Sequence, residues 1–268
     1  MKQAFWGFVV LVAAVVAVLF TASTRVAGQA SAGGTSVNDT PRMPDGHPDL
    51  NGFWYRKVAG PTIRIEGGSI IRNVGVPTVP DRYDPGTPTY KPEALVQVNK
   101  LNEDPALTDP AFNCGPPGVP RIGPPQRIVQ TRGEVVILYD DLNGNFFRLI
   151  PTDGRPHRTG IETSAHGDGV GHWERDTLVI ETRNFDEDTW LGDNGLFHTG
   201  DLRVTERLTR EGNTLTWEAI VDDPAVLVEP WSVTPRTLML KTDDEIEEAP
   251  LCLANPLGAV QVPHGNVR

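Results

Sequence analysis

Four of the six histidines lie between residues 157 and 198, and histidine is the side chain best suited to acid–base chemistry near neutral pH. They are His157, His166, His172 and His198. We predict His157 and His198 as acid–base candidates, because each opens or closes a predicted β element. Asp168 stands beside them in a glycine-rich segment. His166 and His172 are interpreted as solvated loop residues.

The histidine spacing does not match a known metal-binding pattern, since no His-x-x-x-His occurs on a predicted helix. Serine-hydrolase, phosphate-loop and dinucleotide glycine motifs are also missing from the sequence. We therefore predict no metal and no cofactor. A metal-dependent hydrolase that uses the loop histidines stays open as an alternative.

Glu206 is the least expected residue of a predicted β-hairpin that turns at residues 212–213. The hairpin register places Leu208 opposite Trp217, so Glu206 points to the same apolar face. A carboxylate on such a face must find a cation or shift its pKa. Arg148 and Arg236 are the candidate cations. The pair either stabilises the barrel only, or Glu206 works as an acid–base group in a cavity.

A second hairpin is predicted around Asn143-Gly144, the strongest short hairpin signal in the chain. A two-residue turn there pairs Leu142 with Asn145, so that Tyr139 faces Arg148. Both side chains could polarise a ligand oxygen. The predicted catalytic set is therefore Glu206, His157, Arg148, Tyr139, His198 and Asp168. Large flat or cationic side chains are the predicted ligand-binding residues: Trp54, Trp190 and Arg236.

The first thirty residues are predicted to be an export signal. Lys2 precedes 19 uncharged, almost wholly apolar residues at 4–22, and small residues near 28–32 suit a signal peptidase. An uncleaved membrane anchor is the alternative, since this stretch nearly spans a bilayer. We predict a flexible lead-in at 31–48 and one domain at 49–268. The localisation is then periplasmic or secreted, with anchoring at the inner membrane as the alternative.

The exported part carries 22 basic and 35 acidic residues, so its formal charge is 22 − 35 = −13. This excess of acidic residues gives the exported part a negative charge, which argues against nucleic acid and against an anionic membrane surface as partners. Cys114 and Cys252 are the two cysteines, and in an oxidising compartment we predict a disulfide between them. A catalytic thiol is the alternative.

The chain is predicted to be mostly β. Alternating strands and turns favour an antiparallel, calycin-like (lipocalin-like) β-barrel with long Pro/Gly-rich loops and one short helix at residues 92–102. A β-sandwich is the alternative. The sequence Gly52-Phe53-Trp54 resembles the Gly-x-Trp that begins calycin barrels, in which the tryptophan closes one barrel end.

Four segments together resemble a large group of exported bacterial proteins: residues 41–54, 113–120, 171–180 and 189–191. The resemblance covers nearly all of the exported part. It implies export, the link between the two cysteines, and recurring residues at His157, His198 and Glu206-Arg207. The chain departs from that pattern at Arg175 and at Gly192-Asp193, which puts Asp193 in doubt as an equivalent residue. The resemblance implies no particular activity.

Three functions follow as expectations. The first is a cofactor-independent lyase or isomerase that acts on a small hydrophobic or aromatic molecule inside the barrel. The second is a carrier that binds such a molecule unchanged. The third is the metal-dependent hydrolase.

Overall fold

The structure is a computed structural model. It describes residues 39–56, 85–141 and 143–242, the backbone of residues 63–66 and 69–72, and residues 246, 248 and 252. The predicted export segment at 1–30 lies outside the described residues. Within them, no helix is both long enough and apolar enough to cross a membrane.

Nine antiparallel strands of the described chain form one sheet that curls into a nearly closed barrel, as predicted. The strands are β1 (Gly52–Arg56), β4 (Arg127–Gln130), β5 (Glu134–Asp141), β6 (Gly144–Pro151), β7 (Asp168–Glu174), β8 (Thr177–Arg183), β9 (Arg203–Glu211), β10 (Thr214–Asp222) and β11 (Trp231–Lys241). Their order in the sheet is β6-β5-β4-β1-β11-β10-β9-β8-β7, so β6 and β7 are the two edges. A separate hairpin joins β2 (Ile63–Glu66) to β3 (Ser69–Arg72).

The barrel interior is the hydrophobic core. Every second residue of β9 and β10 is buried, which places Val204, Leu208, Trp217, Ala219 and Val221 on one inner face. Burying a large apolar side chain contributes about 1.5–3 kcal/mol, so this alternation fixes which face of each strand turns inward.

The helix predicted at residues 92–102 is present as α1 (Pro92–Leu101), with Pro92 in its first turn. Ala94 and Val98 are buried, whereas Leu95 is 43% exposed. Two further short helical turns follow, α2 (Pro105–Thr108) and a 3₁₀ turn at Pro110–Asn113.

The β9–β10 hairpin has the predicted register, with Leu208 opposite Trp217 and Arg207 opposite Glu218. The β5–β6 register is displaced by two residues from the prediction. Tyr139 pairs with Phe146, and Arg148 pairs with Ile137.

The turn of the β5–β6 hairpin explains this displacement. Asn143 donates side-chain hydrogen bonds to the carbonyls of Ala111 and Gly115, so contacts with a distant loop select the turn. Because the shift is an even number, Tyr139 and Arg148 both still point inward.

Strand β7 was not predicted, because residues 166–172 read as a loop. Gly169 and Gly171 weaken the strand signal, yet they are required by close packing between the two edge strands. A Cβ placed on Gly169 would lie 2.7 Å from Ile150 Cδ1 of β6, and one on Gly171 would lie 3.0 Å from Ile150 Cγ2. The glycines therefore let β7 approach β6 where the barrel almost closes.

Residues 39–48 belong to the predicted lead-in, and the structure describes them in contact with the barrel. Arg42 forms a bidentate ion pair with Asp176, and His47 stacks on Trp173 with ring centroids 4.5 Å apart.

Candidate functional site

The barrel interior contains a buried ion pair between Arg148 of β6 and Glu206 of β9. Arg148 Nη1 lies 2.6 Å from Glu206 Oε2, and the two side chains are 3% and 1% exposed. Glu206 therefore points inward, as the hairpin register predicted. Its partner is Arg148 and not Arg236, which lies on β11 opposite Trp217.

Three neutral side chains complete the surroundings of this pair. Trp217 Nε1 donates to Glu206 Oε1 over 3.0 Å, while Arg148 donates to Tyr139 Oη over 3.1 Å and to Thr182 Oγ1 over 2.9 Å. Burial raises the pKa of Tyr139 to about 12, so its hydroxyl stays protonated. Burial alone would lower the pKa of Arg148, but Glu206 and Tyr139 outweigh it and the pKa is raised.

His166 is the functional candidate that the sequence reading missed. Its ring lies 6.5 Å from that of Tyr139 and 5.2 Å from that of Phe146. Burial, and secondarily the charge of Arg148, lowers its pKa to about 4. The imidazole is therefore neutral at pH 7. The sequence signal was the segment His166-Gly-Asp-Gly, whose glycines mark a close approach of backbones.

Gly167 and Gly169 hold this segment in place. Gly167 has φ of +67°, and a Cβ there would lie within 2.9 Å of atoms of Thr182, Arg183 and Phe185. A Cβ on Gly169 would lie 3.6 Å from Arg148 Nη2. Both glycines thus allow the backbone next to His166 and Asp168 to pass close to β8 and to Arg148.

A cavity of about 430 Å³ opens between the edge strands β6 and β7, and we call it the seam cavity. Its wall includes apolar side chains of Phe147, Leu149, Ile150 and Val170. Arg148, His166 and Asp168 provide polar groups, and Arg155 and Arg158 add further cationic side chains. Glu206 is not among the residues that line it.

Two buried nitrogen atoms of the cavity wall stand out. Among the described residues, neither Arg148 Nε nor His166 Nε2 has a hydrogen-bond partner. A buried donor or acceptor without a partner costs about 1–3 kcal/mol. A polar group of a ligand that reached these two atoms would remove this cost.

Asp168 joins His157 and Arg158 at the side of the seam cavity. Its Oδ2 lies 3.1 Å from His157 Nδ1, and its Oδ1 accepts from Arg158 Nε over 2.6 Å. Burial alone would raise the pKa of Asp168, but the hydrogen bonds from Arg158 and His157 outweigh it and lower the pKa. His157 itself lines a smaller cavity of about 210 Å³ with Glu181 and Thr182.

His198 lies apart from this group. Its Nε2 is 2.8 Å from Thr189 Oγ1, and its Nδ1 is 3.0 Å from the Thr199 carbonyl. Burial lowers the pKa of His198, and both ring nitrogens lie within hydrogen-bonding distance of polar atoms, the Thr189 hydroxyl and the Thr199 carbonyl. His198 is only 3% exposed, and its contacts tie the loop before β9 together.

The predicted ligand-binding residues do not line the seam cavity. Trp54 is buried, donates to the Leu50 carbonyl and lies under the guanidinium of Arg210. Trp190 is buried beneath Arg121. Neither Trp54, Trp190 nor Arg236 is among its wall residues.

The predicted disulfide is present, with Cys114 and Cys252 bonded and their Cα atoms 5.7 Å apart. Next to it lies another cavity of about 620 Å³, lined by residues that include Phe112 and Asn143. Arg121 forms ion pairs there with Asp109 and Asp193.

The four histidines do not converge. His157 pairs with Asp168, His166 faces the seam cavity, His172 lies half exposed on β7, and His198 bonds to threonines. In the part of the chain that the structure describes, no three His, Cys, Asp or Glu residues are grouped as metal ligands.

Fold and site together define a disulfide-linked, barrel-like β protein with a polar and apolar cavity at its seam. Comparison with family models, with curated proteins and with solved structures finds no match. The resemblance to exported bacterial proteins and to calycins thus stays a prediction.

Proposed function

We propose that this protein binds a small hydrophobic or aromatic molecule in the seam cavity. One observation carries the proposal: the buried, partnerless atoms Arg148 Nε and His166 Nε2 belong to residues of a wall that combines charged side chains with apolar ones such as Ile150 and Val170. A concave pocket that combines apolar side chains with a few placed polar groups is typical of small-molecule sites. A volume of about 430 Å³ also falls in the usual range for such sites.

A binding function has better support than a function in which Glu206 acts as the acid–base catalyst. Glu206 forms an ion pair with Arg148 through Oε2 and accepts a hydrogen bond from Trp217 at Oε1, and the residue does not line the cavity. The pKa of His166 is lowered to about 4, so its imidazole is a weak base at pH 7 and is poorly suited to general-base catalysis. Of the three expected functions, the non-catalytic carrier therefore has the best support.

A neutral fluorescent probe, N-phenyl-1-naphthylamine, tests the proposal. When the probe is titrated with the protein of natural sequence, its fluorescence emission should rise and then saturate. Val170→Trp should abolish the rise, because Val170 lines the seam cavity. Val228→Trp is the matched control, since Val228 is 59% exposed and does not line the cavity. Equal binding by both variants would contradict the proposal.

The pair of His157 and Asp168 supports a second candidate, a cofactor-independent lyase or isomerase. A carboxylate on Nδ1 orients an imidazole so that Nε2 can accept a proton, which is the arrangement of many general bases. Such a protein should accelerate exchange of the methyl protons of acetophenone with D₂O. His157→Gln should remove this acceleration. No acceleration above background would contradict catalysis on simple ketones.

We also propose that the protein is exported, to the periplasm or beyond. The Cys114–Cys252 bond supports this, because disulfides persist mainly in oxidising compartments. Mass spectrometry of the native protein should find a new N-terminus near residues 28–32. An intact N-terminus in the membrane fraction would favour anchoring by residues 4–22, and a cytoplasmic protein would contradict export.

A further inference from the structure

The charges around the seam cavity are already balanced. Arg148 is paired with Glu206, Arg158 with Asp168, and Arg155 with Asp153. Glu134 adds one more carboxylate to the cavity wall. A bound anion would therefore meet no unpaired cation in this group, and its own desolvation would be left uncompensated.

Arg148 Nε and His166 Nε2, which have no hydrogen-bond partner among the described residues, suit an uncharged oxygen that accepts a hydrogen bond. Arg148 Nε–H can only donate. The nearby neutral His166 can donate or accept at Nε2, depending on which ring nitrogen holds the proton. An uncharged carbonyl oxygen satisfies Arg148 without adding charge, and the apolar side chains of Ile150 and Val170 suit the hydrocarbon part.

We infer that the seam cavity takes an uncharged, carbonyl-bearing molecule, whose oxygen accepts a hydrogen bond from Arg148 Nε–H while His166 Nε2 contacts the same polar end. The inference rests on the proposed function and names the ligand class of that same site. A site of this kind should prefer an uncharged carbonyl compound both to an anion and to a hydrocarbon of the same shape.

Three nearly isosteric probes test it on the natural sequence. Acetophenone carries a neutral carbonyl, benzoate carries a charge, and α-methylstyrene replaces the oxygen by carbon. Titrations followed by NMR should show acetophenone binding with a dissociation constant of about 1 mM or lower, as suits a ligand of this size. α-Methylstyrene should bind at least about tenfold more weakly, the effect of losing one hydrogen bond to a charged group. Benzoate should also bind at least about tenfold more weakly, because the desolvation of its charge is not compensated by an unpaired cation.

The outcomes are distinguishable. Tighter binding of benzoate would make this an anion site and overturn the inference. Equal binding of all three would also overturn it, while the proposed binding function would stand. Failure of all three probes and of the naphthylamine would overturn both.

A variant pair adds a second measurement. Arg148→Lys keeps a positive charge beside Glu206 but removes the Nε–H, so acetophenone should bind about tenfold more weakly. Arg132→Lys is the control, because Arg132 is exposed and outside the cavity wall. An unchanged affinity in a folded Arg148→Lys would overturn the assigned hydrogen bond, and the three-probe comparison decides the matter if that variant does not fold.

Discussion

Arg148 Nη1 and Glu206 Oε2 lie 2.6 Å apart in the barrel interior, although their strands are far apart in the sheet order. β6 is one edge of the sheet, and β9 is two strands from the other edge. The ion pair therefore bridges the interior where backbone pairing does not close the barrel. Removing one partner leaves an uncompensated buried charge, whereas replacing both can be nearly neutral.

Glu206→Gln should lower the free energy of unfolding by about 3–5 kcal/mol, because it leaves Arg148 charged and buried. Urea unfolding at pH 7 measures this. Glu218→Gln is the control on the paired strand, since Glu218 is exposed and should change stability by less than about 0.5 kcal/mol. Equal effects of the two substitutions would show that the ion pair is energetically irrelevant.

A double substitution checks the same relationship from the other side. Arg148→Met with Glu206→Met should be clearly more stable than Glu206→Met alone, because no charge is left unpaired. If the two single losses simply add, the side chains do not interact as described.

His166 should make the protein less stable in acid. Its folded pKa of about 4 lies below the unfolded value of 6.5, so the unfolded chain binds more protons between these two values. Stability therefore falls as pH drops from about 6.5 to about 4, by at most roughly 3 kcal/mol from this residue. Unfolding curves of His166→Phe should show a correspondingly smaller loss over this range.

NMR titration gives an independent check on His166. Its ring should remain neutral at pH 5.5, while the half-exposed His172 serves as an internal comparison. A midpoint for His166 near 6.5 would contradict the buried environment assigned to it.

Gly169→Ala should destabilise the barrel by about 1–3 kcal/mol, because the added Cβ would lie 2.7 Å from Ile150 Cδ1. Adding Ile150→Val deletes that methyl group and should recover part of the loss. Gly133→Ala is the control, since its Cβ would meet Asp153 Cβ at an ordinary 3.6 Å. Thermal unfolding compares the variants, and an absence of rescue would argue against close packing at the seam.

Replacing Cys114 and Cys252 by serine should cost about 2–5 kcal/mol, since the bond closes a long loop between residues 138 positions apart. Chemical unfolding of the double variant beside the oxidised protein measures the loss. Adding a reductant should destabilise the natural sequence and leave the double variant unchanged. A reductant effect on both would point to another cause.

Local pattern was enough to predict the parts of this protein that depend on neighbours in the chain. The β9–β10 register, the inward direction of Glu206 and helix α1 follow from alternation, turn residues and Pro92, which act over a few positions. The disulfide followed from two cysteines and a predicted export signal, without any knowledge of distance.

The tertiary structure decided the rest, because those features depend on chain segments that meet only after folding. Contacts of Asn143 with a remote loop shifted the β5–β6 turn, and packing against Ile150 turned a glycine-rich segment into strand β7. The close approach of the two edge strands also places His166 and Arg148 in the wall of one cavity. His157 instead contacts Asp168 through its Nδ1 atom. A hydrophobic pattern specifies which face of a strand is buried, but it carries no information about which distant side chain lies across the barrel.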